Sequence, residues 1–175
     1  MSLMLQPMIE AWTWRSFGHS TIGAAHVRKG KPNQDAIARR DPGVEGVPAI
    51  IAISDGHGAA AHYRSDVGSR LAVETAIARL VNRDGAARTA REELDRLPDL
   101  ARDISSEWAN AVREHAIAHA ADERAPAGEP LLPYGATLLV AAALEHAVVV
   151  LQIGDGDILV GFDDGRLERP LPRDE

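Results

Sequence analysis

Three carboxylates share one kind of surrounding. Asp35 in Asn33-Gln34-Asp35, Asp55 in Asp55-Gly56-His57-Gly58 and Asp155 in Gly154-Asp155-Gly156-Asp157 each stand beside an apolar run, in a tight segment flanked by glycine or asparagine. Acids held at the ends of rigid strands can converge on one point, and a convergent set of hard oxygens is what Mg²⁺ or Mn²⁺ binds. Gly56 adds a backbone carbonyl that no side chain screens, so it too can serve as a ligand. Taken singly, each acid reads better as a turn, because Asp-Gly is a common tight-turn pair. The whole Asp-Gly-His-Gly does not, since a turn has no use for the histidine. A helix beginning a few residues later also adds amide dipoles that favour anions nearby. A bare divalent-cation binder would need only Asp35, Asp55 and Asp155 close together.

Other chemistries find less support. His115 and His119 are four apart on a helical stretch, but with no third ligand nearby they read as surface or interface residues. His62 and His146 read as solvent-exposed turn or helix-start positions. There is no Gly-x-Ser-x-Gly elbow, Walker loop or Gly-x-Gly-x-x-Gly. The 175 residues contain no cysteine, which excludes disulfides, thiolate metal sites and cysteine nucleophiles. A net charge of −7, with arginines scattered among acids, argues against nucleic acid as a partner. No apolar run approaches the roughly 18 residues of a membrane span, and Met1 to Glu10 lacks a secretory pattern, so the expectation is a soluble cytoplasmic protein with no membrane partner.

The elements that must position these residues follow from periodicity. Residues 11 to 24, with Trp12, Trp14 and Phe17 among polar neighbours, predict a half-buried strand. Residues 26 to 36 predict a polar loop, Ile37-Ala38 opens a second strand, and Asp41-Pro42-Gly43 marks a turn before the apolar run that ends at Ser54, making a meander of three strands. From Ser65 the period becomes helical, with Val67, Leu71, Ile77, Ala78 and Val81 on one arc and Gly85 as the stop. Pro98-Asp99 predicts the start of a second helix, with Leu100, Ile104, Trp108, Ala111 and His115 on its inner face. Residues 122 to 133 connect. Three apolar runs then follow, broken at Glu145-His146, at Gly154 to Asp157 and at Asp163-Asp164-Gly165, which predicts successive hairpins. Strands, then helices, then strands make a single α+β domain over residues 1–175.

Four segments, "GKPNQDA", "IAISDGHGAAAHYRSDVGSRLA", "YGATLLVAAAL" and "VVVLQIGDGDILVG", together resemble the PPM family of metal-dependent (type 2C) Ser/Thr protein phosphatases, in the family's order and spacing from Gly18 to about Arg169. The resemblance implies a four-layer α-β-β-α sandwich of two antiparallel sheets flanked by antiparallel helices, with a dinuclear Mn²⁺ or Mg²⁺ centre at one end. It makes Asp55 the carboxylate bridging both metals, Gly56 a ligand through its carbonyl, and His57 the general acid toward the leaving seryl or threonyl oxygen. Asp35 and Gln34 fall on the family's N-terminal metal motif, and Asp155 on the acid that can hold a third, weaker ion. Gly135-Ala136-Thr137 falls on a buried structural strand. The implied reaction is attack of a metal-activated water on phosphorus, with no phospho-enzyme. The implied partners are a phosphoprotein substrate and an opposing Ser/Thr kinase.

Two departures modify that expectation. Gln34 stands where the common motif has glutamate, which lowers the negative charge of the site, and Gly30 stands where the phosphate-binding arginine is usual, leaving Arg28 as the nearest candidate. The chain also stops before the family's late Ser-Asp-Gly and Asp-Asn motifs, so the domain is expected to be C-terminally incomplete, with uncovered apolar sheet faces and weak or no activity. The alternative function is a truncated or degenerate, non-catalytic module that binds a phosphoprotein or kinase.

Overall fold

The computed structural model describes residues 14–42, 48–82, 89–120, 128–144 and 147–171. Its centre is a four-stranded sheet of β1 (Ala36–Arg40), β2 (Ala49–Ser54), β3 (Leu138–Ala143) and β4 (Val148–Ile153), in that spatial order and antiparallel throughout. Alternation along each strand decides its faces. In β2, Ile50, Ala52 and Ser54 are buried while Ile53 turns outward; in β3 the buried set is Leu138, Val140 and Ala142. The register pairs Ala52 with Ala38 on one side and with Val140 on the other, so the inward residues form one apolar band across the sheet.

Two helices, α2 (Ser65–Val81) and α3 (Ala90–Ala118), cover that band. The buried face of α2 is Ser65, Gly68, Ser69, Ala72, Val73, Ala76 and Leu80, not the arc of larger residues expected from the period; Ala78 is exposed, and Val67, Leu71, Ile77 and Val81 are only half-buried. Close approach explains the difference. Small residues let α2 sit against the sheet and against the 3-10 turn at Leu132–Tyr134, where a side chain at Gly68 would collide with the Tyr134 carbonyl oxygen. The Gly68 carbonyl also accepts a 3.0 Å bond from Trp108 Nε1 of α3.

Helix α3 corrects the expected start at Pro98. It begins at Ala90 with a capping box: Glu92 N–H donates to Thr89 Oγ1 at 3.3 Å, and Thr89 N–H donates to Glu92 Oε2 at 3.0 Å. Pro98 lies inside the helix, where it withholds one N–H from the carbonyl of exposed Leu94. The inner face is as expected, with Ile104 buried and Leu100, Trp108, Ala111 and His115 half-buried; Val112 is buried beside them.

The N-terminal segment is a second correction. Residues 14–23 form no strand; Trp14 and Phe17 are exposed. Side chains fasten the segment to the end of β1 instead of a sheet ladder: Ser16 N–H and Oγ donate to Asp41 Oδ1 at 2.8 and 2.6 Å, and Arg39 donates to the Ser16 carbonyl at 3.2 Å. The meander therefore has two strands, not three, before the helices. The polar loop expected from residue 26 opens with a helical turn, α1 (Ala24–Arg28).

Two of the three expected hairpins form, and the one expected at Gly154 to Asp157 does not: there the chain leaves the main sheet, and β4 and β5 belong to different sheets. β3 and β4 pair, and a small ribbon of β5 (Val160–Gly161) and β6 (Leu167–Glu168) closes around Asp163-Asp164-Gly165, with Gly165 at φ 84°. The turn at 43–47, the stop at Gly85, Glu145-His146 and most of the 122–133 connection lie outside the described residues. The α+β class is that expected. Among the described residues helices cover one face of the main sheet; the other face carries Ile37, Ile51, Ile53, Leu139, Val148 and Val150, of which Ile53 and Val148 are exposed.

Candidate active site

β2 ends at Ser54, but the chain beyond it does not turn away. Ser54 Oγ donates to the Thr137 carbonyl; Asp55 N–H donates to Thr137 Oγ1 at 3.1 Å, and Thr137 N–H donates back to the Asp55 carbonyl at 2.8 Å. Gly56 bridges Ala136, and His57 N–H donates to the Gly135 carbonyl at 3.0 Å. Asp55 to His57 is thus a backbone clamp against residues 135–137, which fixes the direction in which the Asp55 and His57 side chains leave it. Gly56 is buried here and donates its N–H to the Gln34 carbonyl at 3.1 Å; a β-carbon would collide with that oxygen and crowd the Ser65 carbonyl at 2.8 Å. The glycine is needed for this packing whatever its own carbonyl binds.

The same clamp reaches the other two acids. Gly154, at φ 81°, packs on Thr137, where a β-carbon would lie 3.1 Å from Cγ2, so the turn carrying Asp155 rests on the residue that holds Asp55. Gln152 Nε2 donates to the Gly154 carbonyl at 2.9 Å and steadies the turn. Asp157 is committed elsewhere, to Arg169. Asp35 follows Gln34 on the strand side, its N–H donating to Asn33 Oδ1 at 3.3 Å.

The Asp55 carboxyl is held above the usual carboxylate range, first by burial, then by the charge of Asp35 and a hydrogen bond with it, then by the charge of Asp155; His57 acts in the opposite direction. Mutual repulsion of this kind is what a divalent cation relieves. The donor set is all oxygen, as Mg²⁺ or Mn²⁺ requires. The buried Gln34 Oε1 also has no hydrogen-bond donor among the described residues, while its Nε2 donates to Ser65 Oγ at 2.6 Å and to the His57 carbonyl at 3.4 Å. The residues fit a hard cation in kind. They do not form a finished cage: among the described residues, no three His, Asp or Glu side chains are grouped closely enough to enclose an ion by themselves.

The cations and histidines are distributed unevenly. Arg28 ends α1 and is exposed. Lys31, which the sequence did not single out, donates from Nζ to the Gly58 carbonyl at 3.3 Å, one residue beyond His57. His62 is half-buried rather than solvent-exposed: its Nδ1 lies 2.6 Å from the Leu132 carbonyl and its ring meets His57 edge-on. His146 lies outside the described residues. His119 is exposed at the end of α3, as expected, and stacks on half-buried His115, whose Nδ1 is 2.8 Å from the Tyr134 hydroxyl. Both are remote in role from the acids. Thr137 and Ser65 also build the site, with no local signal in the sequence. "YGAT" signals a strand, and nothing local reveals that its threonine grips a backbone 82 positions earlier.

A family model described as protein phosphatase 2C matches residues 22–175. No curated protein and no solved structure matches the chain significantly. The match covers all four strands of the main sheet, both long helices, and Asp35, Asp55, His57 and Asp155 in one span. The chain belongs to the protein phosphatase 2C family.

Proposed function

We propose that the protein is a metal-dependent phosphatase acting on phosphoserine and phosphothreonine in proteins. The observation that carries this is the raised Asp55 carboxyl, clamped by Thr137 at the end of β2 and facing the charges of Asp35 and Asp155. In this reading Asp55, the Gly56 carbonyl, Asp35, Gln34 and Asp155 hold Mn²⁺ or Mg²⁺. When bound, the ions supply Lewis acidity and a water acidic enough to attack phosphorus at neutral pH. The bond from phosphorus to the seryl or threonyl oxygen breaks as the bond to water's oxygen forms. His57 gives its proton to the departing oxygen, so that an alcohol leaves rather than an alkoxide. Arg28 is the arginine assigned to the phosphate, and the protein opposes a Ser/Thr kinase in the cytoplasm.

Asp55→Ala is the decisive variant. Mn²⁺-dependent release of phosphate from an aryl phosphate should fall at least 100-fold; undiminished turnover in a folded variant would refute the metal assignment. A second reading, a non-catalytic module that binds phosphoprotein, draws on Gln34, whose Nε2 is spent on Ser65 and the His57 carbonyl and whose neutral oxygen brings no negative charge to the site. It predicts binding of a phosphopeptide with no turnover in the presence of either ion.

A further inference from the structure

His57 has a fixed backbone but an exposed side chain, and an exposed imidazole on a pinned backbone still has several rotamers open to it. A proton donor must spend its time in one of them. What stands beside it is His62. The two ring centroids are 4.8 Å apart with the planes at 75°, an edge-to-face contact.

His62 is itself held firmly. A carbonyl oxygen only accepts, so the 2.6 Å contact between His62 Nδ1 and the Leu132 carbonyl requires the proton on Nδ1. Leu132 belongs to the 3-10 turn that ends in Tyr134, a residue buried and fixed by Arg64, whose guanidinium donates to the hydroxyl at 2.6 Å. Arg64 N–H in turn donates to the Pro133 carbonyl at 2.9 Å. The His62 ring is therefore anchored to the scaffold by a hydrogen bond, whereas among the described residues the His57 ring makes none.

Gly135 completes the arrangement. Its φ of −50° and ψ of 126° suit any residue, so glycine is not there for its backbone freedom. It is there for space: a β-carbon would lie 2.6 Å from His62 Nδ1 and 2.8 Å from His57 Nδ1. The two imidazoles close over a bare α-carbon, and the same glycine accepts the His57 N–H through its carbonyl.

We infer that His62 is a positioning residue for His57, holding the proton donor's ring in its working rotamer over the Gly135 seat. The inference rests on His57 acting as the general acid, and it concerns the side chain that no motif comparison singled out. Its consequence is selective. Protonation of the leaving oxygen matters greatly for a seryl phosphate and little for p-nitrophenyl phosphate, whose leaving group departs readily as the anion.

The experiment compares the intact protein with His57→Ala, His62→Leu and His62→Gln on a phosphoserine peptide and on p-nitrophenyl phosphate, with Mg²⁺ present. His62→Leu should lower kcat on the peptide by about 10- to 100-fold and on the aryl ester by less than about 3-fold, with KM unchanged. His62→Gln, whose amide can still donate to the Leu132 carbonyl, should recover part of the loss. Equal losses on both esters, or no loss on the peptide, would overturn the inference. Histidine NMR supplies a readout without turnover: nitrogen shifts should place the His62 proton on Nδ1, and His57 ring resonances should move in His62→Leu. Unmoved His57 resonances would also overturn it. Full activity in Asp55→Ala would defeat the metal-dependent reading instead, and the NMR arm would still decide the contact between the two rings.

Discussion

At the scale of single residues, Asp55 is a carboxylate kept in an unfavourable place by neutral hydrogen bonds. Thr137 fixes its backbone through both N–H and C=O, but none of those bonds reaches the carboxyl, which is left partly desolvated with two other acids around it. A cation that satisfies the carboxyl binds the folded state and not the unfolded one, so it must stabilise the fold. Mg²⁺ or Mn²⁺ at a hundredfold excess over Kd should add about 2.7 kcal/mol, or about 5 to 10 °C in Tm for a chain of this size. Asp55→Ala should abolish that response in a thermal melt, and a melt of the unaltered protein indifferent to both ions would refute cation binding. Much of this site was legible as residue types. Asp35, Asp55, His57 and Asp155 announce themselves by their glycine and asparagine neighbours, whereas His62, Lys31 and Thr137 do not, because what holds them or what they hold lies dozens of positions away: Leu132, Gly58 and Asp55 respectively.

At the scale of elements, the join between α2 and the Leu132–Tyr134 turn carries the site, since residues 135–137 leave that turn to clamp Asp55 and His57. The join depends on Gly68, whose missing side chain lets the Tyr134 carbonyl approach. Gly68→Ala should cost at least about 1 to 3 kcal/mol in urea unfolding, the range for forcing a methyl into a packed interior; a cost under about 0.5 kcal/mol would show that α2 can shift without strain. The far side of the same turn is held by His115. Burial first, then the positive charges of His119, Arg64 and Arg70, lower its pKa below the ordinary 6.5, with Asp66 opposing. The native state thus binds this proton less readily than the unfolded chain. Its contribution to stability is complete above pH 6.5 and is lost as pH falls through 6.5 toward the lowered native value. Urea midpoints for the unaltered protein should drop from pH 7.5 to pH 5.5, and His115→Gln should flatten part of that drop. An identical pH profile in the variant would exclude His115 as its source. Helix α3 starts well before Pro98 because Thr89, nine residues earlier, forms a capping box with Glu92, and the exposed side of the helix at Leu94 tolerates the absence of the N–H that the proline lacks.

At the scale of the whole molecule, the two faces of the main sheet have different fates. Ile50 is completely buried on the face that α2 covers, while Ile53, three positions along the same strand, is 45% exposed on the other face. Ile50→Ala should cost about 2 to 5 kcal/mol, and Ile53→Ala less than about 1 kcal/mol. Equal costs in urea unfolding would mean that something covers the outer face in solution. The same asymmetry explains the N-terminal segment. Its apolar alternation is that of a strand, yet the ladder it would need is not supplied by any described strand, and Asp41 and Arg39 hold it by side chains instead.

The sequence by itself determined the α+β order, the presence of two long helices and the types of group available for chemistry, because period, turn residues and charge act over a few neighbouring positions. It could not decide which face of α2 goes inward, since the winning face is the one whose small side chains permit the closest approach, and closeness is a property of two elements at once. Nor could it decide which acids meet, or which histidine braces which. Those facts arise only when residues 34, 55–57, 135–137 and 154 are brought against one another, and the tertiary packing of backbone on backbone does that.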